Sequence, residues 1–308
     1  MSFVELFSDY TFRTVFFGTM GIGAVSGMVG CFAYLRRQSL VGDVVSHSSL
    51  LGIMLFFLLG YWMTGEGSKS LFLLIPGAIA AGMLALIFVR LLVKQTPVRE
   101  DSGLGVMLAL FFGTGIMILK WVQKSNPPIP GRGGLEDYLF GMAAAMTRND
   151  LWMIAILGVG SLLILGAFWK QFKVYSFDPL LTQSLGFRTG LLDTLLIAIL
   201  VVGIVIGIQS IGVVLMIAML VTPAAAARQW TRTLGQMVGA SAIIGAGCAG
   251  VGTIISAEFG GLPTGPLIVL TGTCVFLVSL VFAPGRGVLA GFIRRRLLGS
   301  QIKSNQGA

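Results

Sequence analysis

The sequence contains a single histidine, His47, only three cysteines, and little charge: 11% of its 308 residues are Asp, Glu, Lys or Arg. With so few charges beside 56% hydrophobic residues, a water-soluble globular fold is excluded, because the chain could not cover its surface with polar groups. A mean hydropathy of +0.92 describes a protein whose solvent is mostly lipid. One histidine cannot build the H-E-x-x-H site of an intramembrane zinc protease. No G-x-x-x-x-G-K-[ST] phosphate loop occurs; GEGSKS at residues 65–70 lacks the Gly-Lys step, so any ATP must be bound by another chain. Cys31, Cys248 and Cys274 lie far apart inside apolar runs and read as small buried packing residues. No intrinsic cofactor is indicated. The net charge of +9 would suggest nucleic acid in a soluble protein, but these basic residues sit between apolar runs and at the tail, where membrane topology explains them. No nucleic-acid partner is expected. Residues 2–13 mix Glu5 and Asp9 with Arg13, unlike a cleavable signal peptide, so the first span is expected to be retained.

What the chain does have is long apolar runs. A hydrocarbon core about 30 Å thick needs roughly 20 apolar helical residues. Nine segments qualify: 14–35, 40–62, 71–93, 103–122, 151–169, 191–208, 211–228, 235–257 and 267–283. They predict an all-α, polytopic helical transmembrane domain with eight or nine spans. The count turns on the sixth and seventh, which form one run from Leu191 to Ala227 whose only charge before Arg228 is Asp193. A break is expected at Gln209-Ser210, between Gly207 and Gly212, with one of the two helices short or broken. Gly18, Gly21, Gly23, Gly27 and Gly30 in the first span, and Gly203 with Gly207 in the sixth, offer small-residue faces for close helix packing. Residues 1–308 read as one domain, with a membrane-embedded core at about 12–290 and a basic tail at 291–308.

In a nine-span chain, fifteen of the 21 Lys and Arg fall on one side and six on the other. The richer side is expected in the cytoplasm, which puts the amino terminus outside and the tail FIRRRLLGSQIK inside, where it can also meet anionic lipid.

Sorting the acids by depth then isolates one residue. Glu66, Glu136, Asp137, Asp150 and Glu258 fall on the external side, Glu100, Asp101 and Asp178 on the cytoplasmic side, and Asp193 near a span end. Asp43 alone lies well within a crossing, about 9 Å in from Arg37, with His47 about 15 Å in. Ionisable groups at that depth are costly and usually functional. Residues four apart share a helix face, and a carboxylate beside an imidazole is a half-site for a divalent transition metal. Ser46 and Ser48 add polar character. The same pair also suits a plain Asp–His hydrogen bond between two buried groups, or a proton relay.

The stretch RRQSLVGDVVSHSSLLG at residues 36–52 resembles the second-helix signature of the permease subunits of bacterial ABC importers for manganese, zinc and iron. That signature reads close to R-R-x-S-L-x-G-D-x-x-S-H-A-x-L-x-G. Further stretches follow in the family's order: REDSGLGVMLALFFGTG at 99–115, DYLFGMAAAMTRNDL at 137–151, FDPLLTQSLGFRTGLLDTLL at 177–196, IGVVLMIAMLVTPAAAAR at 211–228 and GLPTGPLIVL at 261–270. The resemblance covers about residues 12–290. One departure is Ser48, where the pattern commonly has alanine.

The resemblance implies an ABC importer permease fold in the bacterial cytoplasmic membrane and a role as a transport subunit, not an enzyme. It implies that Asp43 and His47 coordinate the transported Mn²⁺, Zn²⁺ or Fe²⁺, with Mn²⁺ favoured. It further implies a second permease subunit, identical or not, two ATP-binding cassette ATPases that bind the ATP, and an extracytoplasmic metal-binding protein. FDPLLTQSLG, with Phe177, Asp178, Pro179, Leu180, Leu181, Leu185 and Gly186, would be the coupling segment that docks into an ATPase. The residues agree with a short helix there, because Asp178-Pro179 is a start signal and Gly186 a stop. Thr222-Pro223 is expected to kink or locally unwind the seventh span, exposing carbonyls to the path or serving packing alone. The rival readings are a proton-coupled secondary transporter or channel, and an ABC permease for a metal chelate.

Overall fold

The computed structural model describes residues 7–289, except 37, 66–69, 137, 138, 140, 142, 144, 145, 260, 261, 285 and 286. The basic tail at 291–308, Arg37 and several residues of DYLFGMAAAMTRNDL therefore lie outside the described residues. Among the described residues the ordered elements are eleven helices: α1 (Tyr10–Leu35), α2 (Ser39–Thr64), α3 (Leu71–Gln95), α4 (Glu100–Lys124), α5 (Arg148–Ala167), α6 (Trp169–Phe177), α7 (Pro179–Ser184), α8 (Thr189–Ile211), α9 (Val213–Trp230), α10 (Leu234–Phe259) and α11 (Thr264–Phe282). All but α6 and α7 correspond to the nine apolar runs. Eight of these nine satisfy length and hydropathy criteria for a membrane span; α9, at 18 residues, is the shortest of the nine.

Helices are the expected form because backbone groups in lipid must bond within their own segment. Their ends carry ordinary signals. Asp9 Oδ1 accepts from Thr11 N at 2.9 Å ahead of α1, and Thr147 with Asp150 forms a reciprocal capping box ahead of α5. Gly65, at φ 74°, ends α2 in a left-handed cap, its N–H donating to Tyr61 O at 2.8 Å.

Small residues set how closely the helices approach. α1 runs antiparallel to α10, with Gly23 backbone against Gly245, and Ser241 Oγ donating to Gly27 O at 2.7 Å. Thr19 and Thr253 hydroxyls meet at 2.9 Å further along. Gly30 lies against the Leu220 carbonyl of α9, and Gly52 of α2 against Gly77 of α3. A Cβ at Gly27 would sit 2.5 Å from Ser241 O, so these contacts exist because a side chain is missing. Of the glycines expected to form a packing face on α1, Gly23, Gly27 and Gly30 meet α9 and α10, whereas Gly18 faces Met146 and Leu151 and Gly21 has no neighbour within 4 Å.

Three expectations need correction. The break between the sixth and seventh spans is at Gly212, not Gln209-Ser210: α8 continues through Ile211, and Gly212 adopts φ 91°, which residues with a Cβ seldom take. α9 then folds back beside α8, with Met216 against Gly207. Local unwinding at Thr222-Pro223 does not occur; Pro223 lies inside an unbroken α9, where it removes only the N–H that would bond the Met219 carbonyl. Finally, Cys31 and Cys248 are buried but Cys274 is exposed, so the packing role holds for two of the three.

Candidate functional site

The fifth and ninth residues of α2 are Asp43 and His47, one turn apart on the same face. His47 Nε2 lies 3.3 Å from Asp43 Oδ1. The imidazole packs edge-on against Phe112 of α4, with ring centroids 4.5 Å apart and planes at 72°. That leaves Nδ1, which is buried and has no hydrogen-bond partner among the described residues. Ser46 Oγ and Ser48 Oγ are likewise buried and unpartnered, whereas Ser49 Oγ donates to Val45 O at 2.7 Å. Unpaired polar atoms inside a protein are costly; these three lie at successive positions about 100° apart around α2, so they do not share one face.

The pair is partly exposed. Asp43 and His47 side chains are 33% and 15% exposed, and they lie on a stripe with the exposed Leu40, Leu55, Leu59 and Trp62. The stripe is only partly open at the pair, where Phe112 of α4 packs on His47. Among the described residues no group of three or more His, Cys, Asp or Glu comes together. Among the described residues, one chain therefore brings a single carboxylate and a single imidazole together here.

Of the other residues singled out, Ser46 lies one turn from Asp43. Thr222 is not brought to the pair; its methyl faces Gly272 of α11, 3.6 Å from where a Cβ would stand. α9 nevertheless passes nearby, since Leu220 Cδ2 would lie 3.0 Å from a Cβ at Gly42.

The segment after α5 forms two helices where one was expected. α6 was missed because its signal is aromatic: Trp169 and Phe172 pack edge-on against Phe32 of α1, each at 6.2 Å between centroids. α7 matches the expectation: Asp178 Oδ1 accepts from Leu181 N at 2.9 Å, Pro179 fills the first helical position, and Gly186 has φ 84°. Thr182 is fully buried, while Phe177, Leu180, Leu181 and Leu185 are exposed, Leu180 at 79%. The apolar side chains of this short helix thus point away from the bundle.

Asp193 proved more connected than its position near a span end suggested. It accepts from Arg36 Nη1 at 2.6 Å and from Arg90 Nη2, and Arg36 Nη2 donates to the Tyr175 hydroxyl at 3.1 Å. Burial pushes the Tyr175 phenol up; the Arg36 cation opposes this and the Asp193 carboxylate reinforces it. No spacing in the sequence announces this cluster, because its members come from four separate helices.

The profile of the ABC 3 transport family matches residues 8–283. The zinc transport system membrane protein TroC of Treponema pallidum is 41% identical over 294 residues, covering 95% of this chain and 96% of that protein. The manganese transport system membrane protein MntC of Bacillus subtilis is 41% identical over 278 residues, 90% of this chain and 62% of the longer relative. Among solved structures, PsaBC from Streptococcus pneumoniae in complex with Fab aligns with a TM-score of 0.81 at 30% identity, covering 92% of this chain and 97% of that one. Agreement in profile, sequence and fold over nearly the full length means that this chain belongs to the ABC 3 transport family, as a membrane-spanning permease subunit.

Proposed function

We propose that the chain is the permease of an ABC importer for a divalent transition metal, Mn²⁺ foremost, and that Asp43 and His47 hold the ion during its passage. The observation that carries this reading is the pair itself: a carboxylate and an imidazole 3.3 Å apart, on a partly exposed face of a membrane helix. Two copies of the permease, or this chain with a related one, related by a two-fold axis along the membrane normal would bring two such pairs together. Four monodentate ligands of mixed oxygen and nitrogen make a tetrahedral, zinc-compatible site; bidentate carboxylates raise the number to six and suit Mn²⁺. The names of the relatives support both metals.

Asp43 supplies negative charge and compensates the loss of water from the ion. His47 adds a neutral nitrogen whose ring is held by Phe112. Ser46, and the Met219 carbonyl freed by Pro223 next to Thr222, supply further oxygens along the route. Binding must stay moderate, because an ion held too tightly would not leave. An extracytoplasmic binding protein delivers the ion. The amino terminus lies outside and the carboxyl terminus in the bacterial cytoplasm, where the exposed Phe177, Leu180, Leu181 and Leu185 dock into an ATP-binding cassette ATPase, one for each permease. The whole complex works in the cytoplasmic membrane among its lipids.

The test is Mn²⁺ uptake into proteoliposomes holding the permease with its ATPase and binding protein. ATP-dependent uptake that ceases in Asp43→Ala and His47→Ala supports the reading. Uptake that survives loss of the ATPase and collapses with the proton gradient would favour a secondary transporter.

A further inference from the structure

Asp193 is the meeting point of four helices. It lies in the second turn of α8 and binds two guanidinium groups, Arg36 at the end of α1 and Arg90 near the end of α3. Arg36 does more than pair with it. Its guanidinium carbon stands 4.6 Å from the centre of the Tyr175 ring, and Nη2 donates to the Tyr175 hydroxyl at 3.1 Å. Tyr175 belongs to α6, which leads through Phe177 and Asp178 directly into α7. In the chain, Arg36 is the C-cap of α1 and Gln38 the N-cap of α2. One side chain therefore grips α6 with one nitrogen, α8 with the other, and ends the helix that turns into α2. Asp43 follows only four residues, about 6 Å, above the start of α2.

The chemistry suits a stiff link. Arg36 and Asp193 side chains are 14% and 20% exposed, so the pair is only weakly screened by water. A planar guanidinium with its donors in a fixed fork transmits direction better than a flexible ammonium. The aromatic contacts of Phe32 with Trp169 and Phe172 keep α6 against α1 but have no donor or acceptor to fix its angle.

We infer that Arg36 is a positioning residue for transport, passing the movement of the α6–α7 segment to the turn between α1 and α2 and so to Asp43. This rests on the reading of α7 as the surface that docks the ATPase. Without the Arg36 charge, α6 stays in place through Phe32, Trp169 and Phe172, but ATP hydrolysis no longer reaches the metal site.

The experiment uses the assembled complex in proteoliposomes and measures Mn²⁺ imported per ATP hydrolysed. Arg36→Gln and Asp193→Asn are expected to keep the ATPase rate within twofold while uptake falls at least tenfold, so the ratio falls tenfold. Arg36→Lys should fall between these and the native chain. Tyr175→Phe, which keeps the ring but loses the hydroxyl, should lower the ratio less than Arg36→Gln. Mn²⁺ binding by the detergent-solubilised complex should stay within twofold throughout. A ratio unchanged in Arg36→Gln and Asp193→Asn, whether both rates hold or both fall together, overturns the inference. If Arg36→Gln does not assemble, an unchanged ratio in both Arg36→Lys and Tyr175→Phe overturns it equally. Uptake by the native complex without ATP would overturn the docking reading itself, and this inference with it.

Discussion

His47 turns Nε2 toward Asp43 Oδ1 at 3.3 Å and leaves Nδ1 buried without a hydrogen-bond partner among the described residues. A carboxylate and an imidazole so placed are the half-site proposed above for the ion, partly exposed at 33% and 15%. Four outcomes follow from this and from the packing around it.

Phe112 restrains the imidazole without offering a donor atom, its ring edge 4.5 Å between centroids from His47. Phe112→Ala should weaken Mn²⁺ binding by about tenfold, the scale seen when support around a ligand is lost. Phe112→Leu, which keeps most of the wall, should lose less. Mn²⁺ titration of the solubilised complex measures both.

Zn²⁺ should compete with Mn²⁺ at this site. Mn²⁺ lies lowest in the affinity order for such ligands, so selection for it is expected at an earlier step. Direct binding to the permease complex without its binding protein should therefore favour Zn²⁺. A preference for Mn²⁺ there would place the selectivity in the permease.

The exposed apolar side chains of α7 should be needed for assembly. Leu180→Glu, at a residue 79% exposed, should leave the permease folded but reduce co-purification of the ATPase at least tenfold. Asp178→Ala removes the cap on Leu181 N and should destabilise α7 by about 1 kcal/mol. Pull-down of the ATPase separates the two, since the capping loss should be milder.

Close helix contacts should tolerate no side chain. Gly52→Leu would drive a side chain into the Gly77 backbone of α3, at the level where α2 presents the site. Overpacking of this kind costs about 1–3 kcal/mol or more. The expected result is a lower thermal midpoint of the purified permease. Gly105→Leu, at a position with nothing within 4 Å, should leave that midpoint unchanged.

Much of this structure is legible in the sequence because lipid imposes simple rules. Apolar length gave the nine long helices to within a few residues of their ends, and depth alone singled out Asp43 and His47. The start at Asp178-Pro179 and the stop at Gly186 are local chemistry and were readable for the same reason. The misses are of two other kinds. The break at Gly212 depends on a positive φ, which nothing in a glycine-rich run assigns to one glycine over another. Asp193 and its partners Arg36, Arg90 and Tyr175 meet only through tertiary packing, as does the contact of Phe112 with His47, and no periodicity carries that information.

The central claim is that Asp43 and His47 are the ligands of the transported ion. Mn²⁺ uptake into proteoliposomes containing the assembled complex, with Asp43→Ala and His47→Ala compared with the native chain, tests it most directly. The account predicts a fall of at least tenfold in each variant, with the ATPase and binding protein still associated. Native uptake rates in both variants would contradict it.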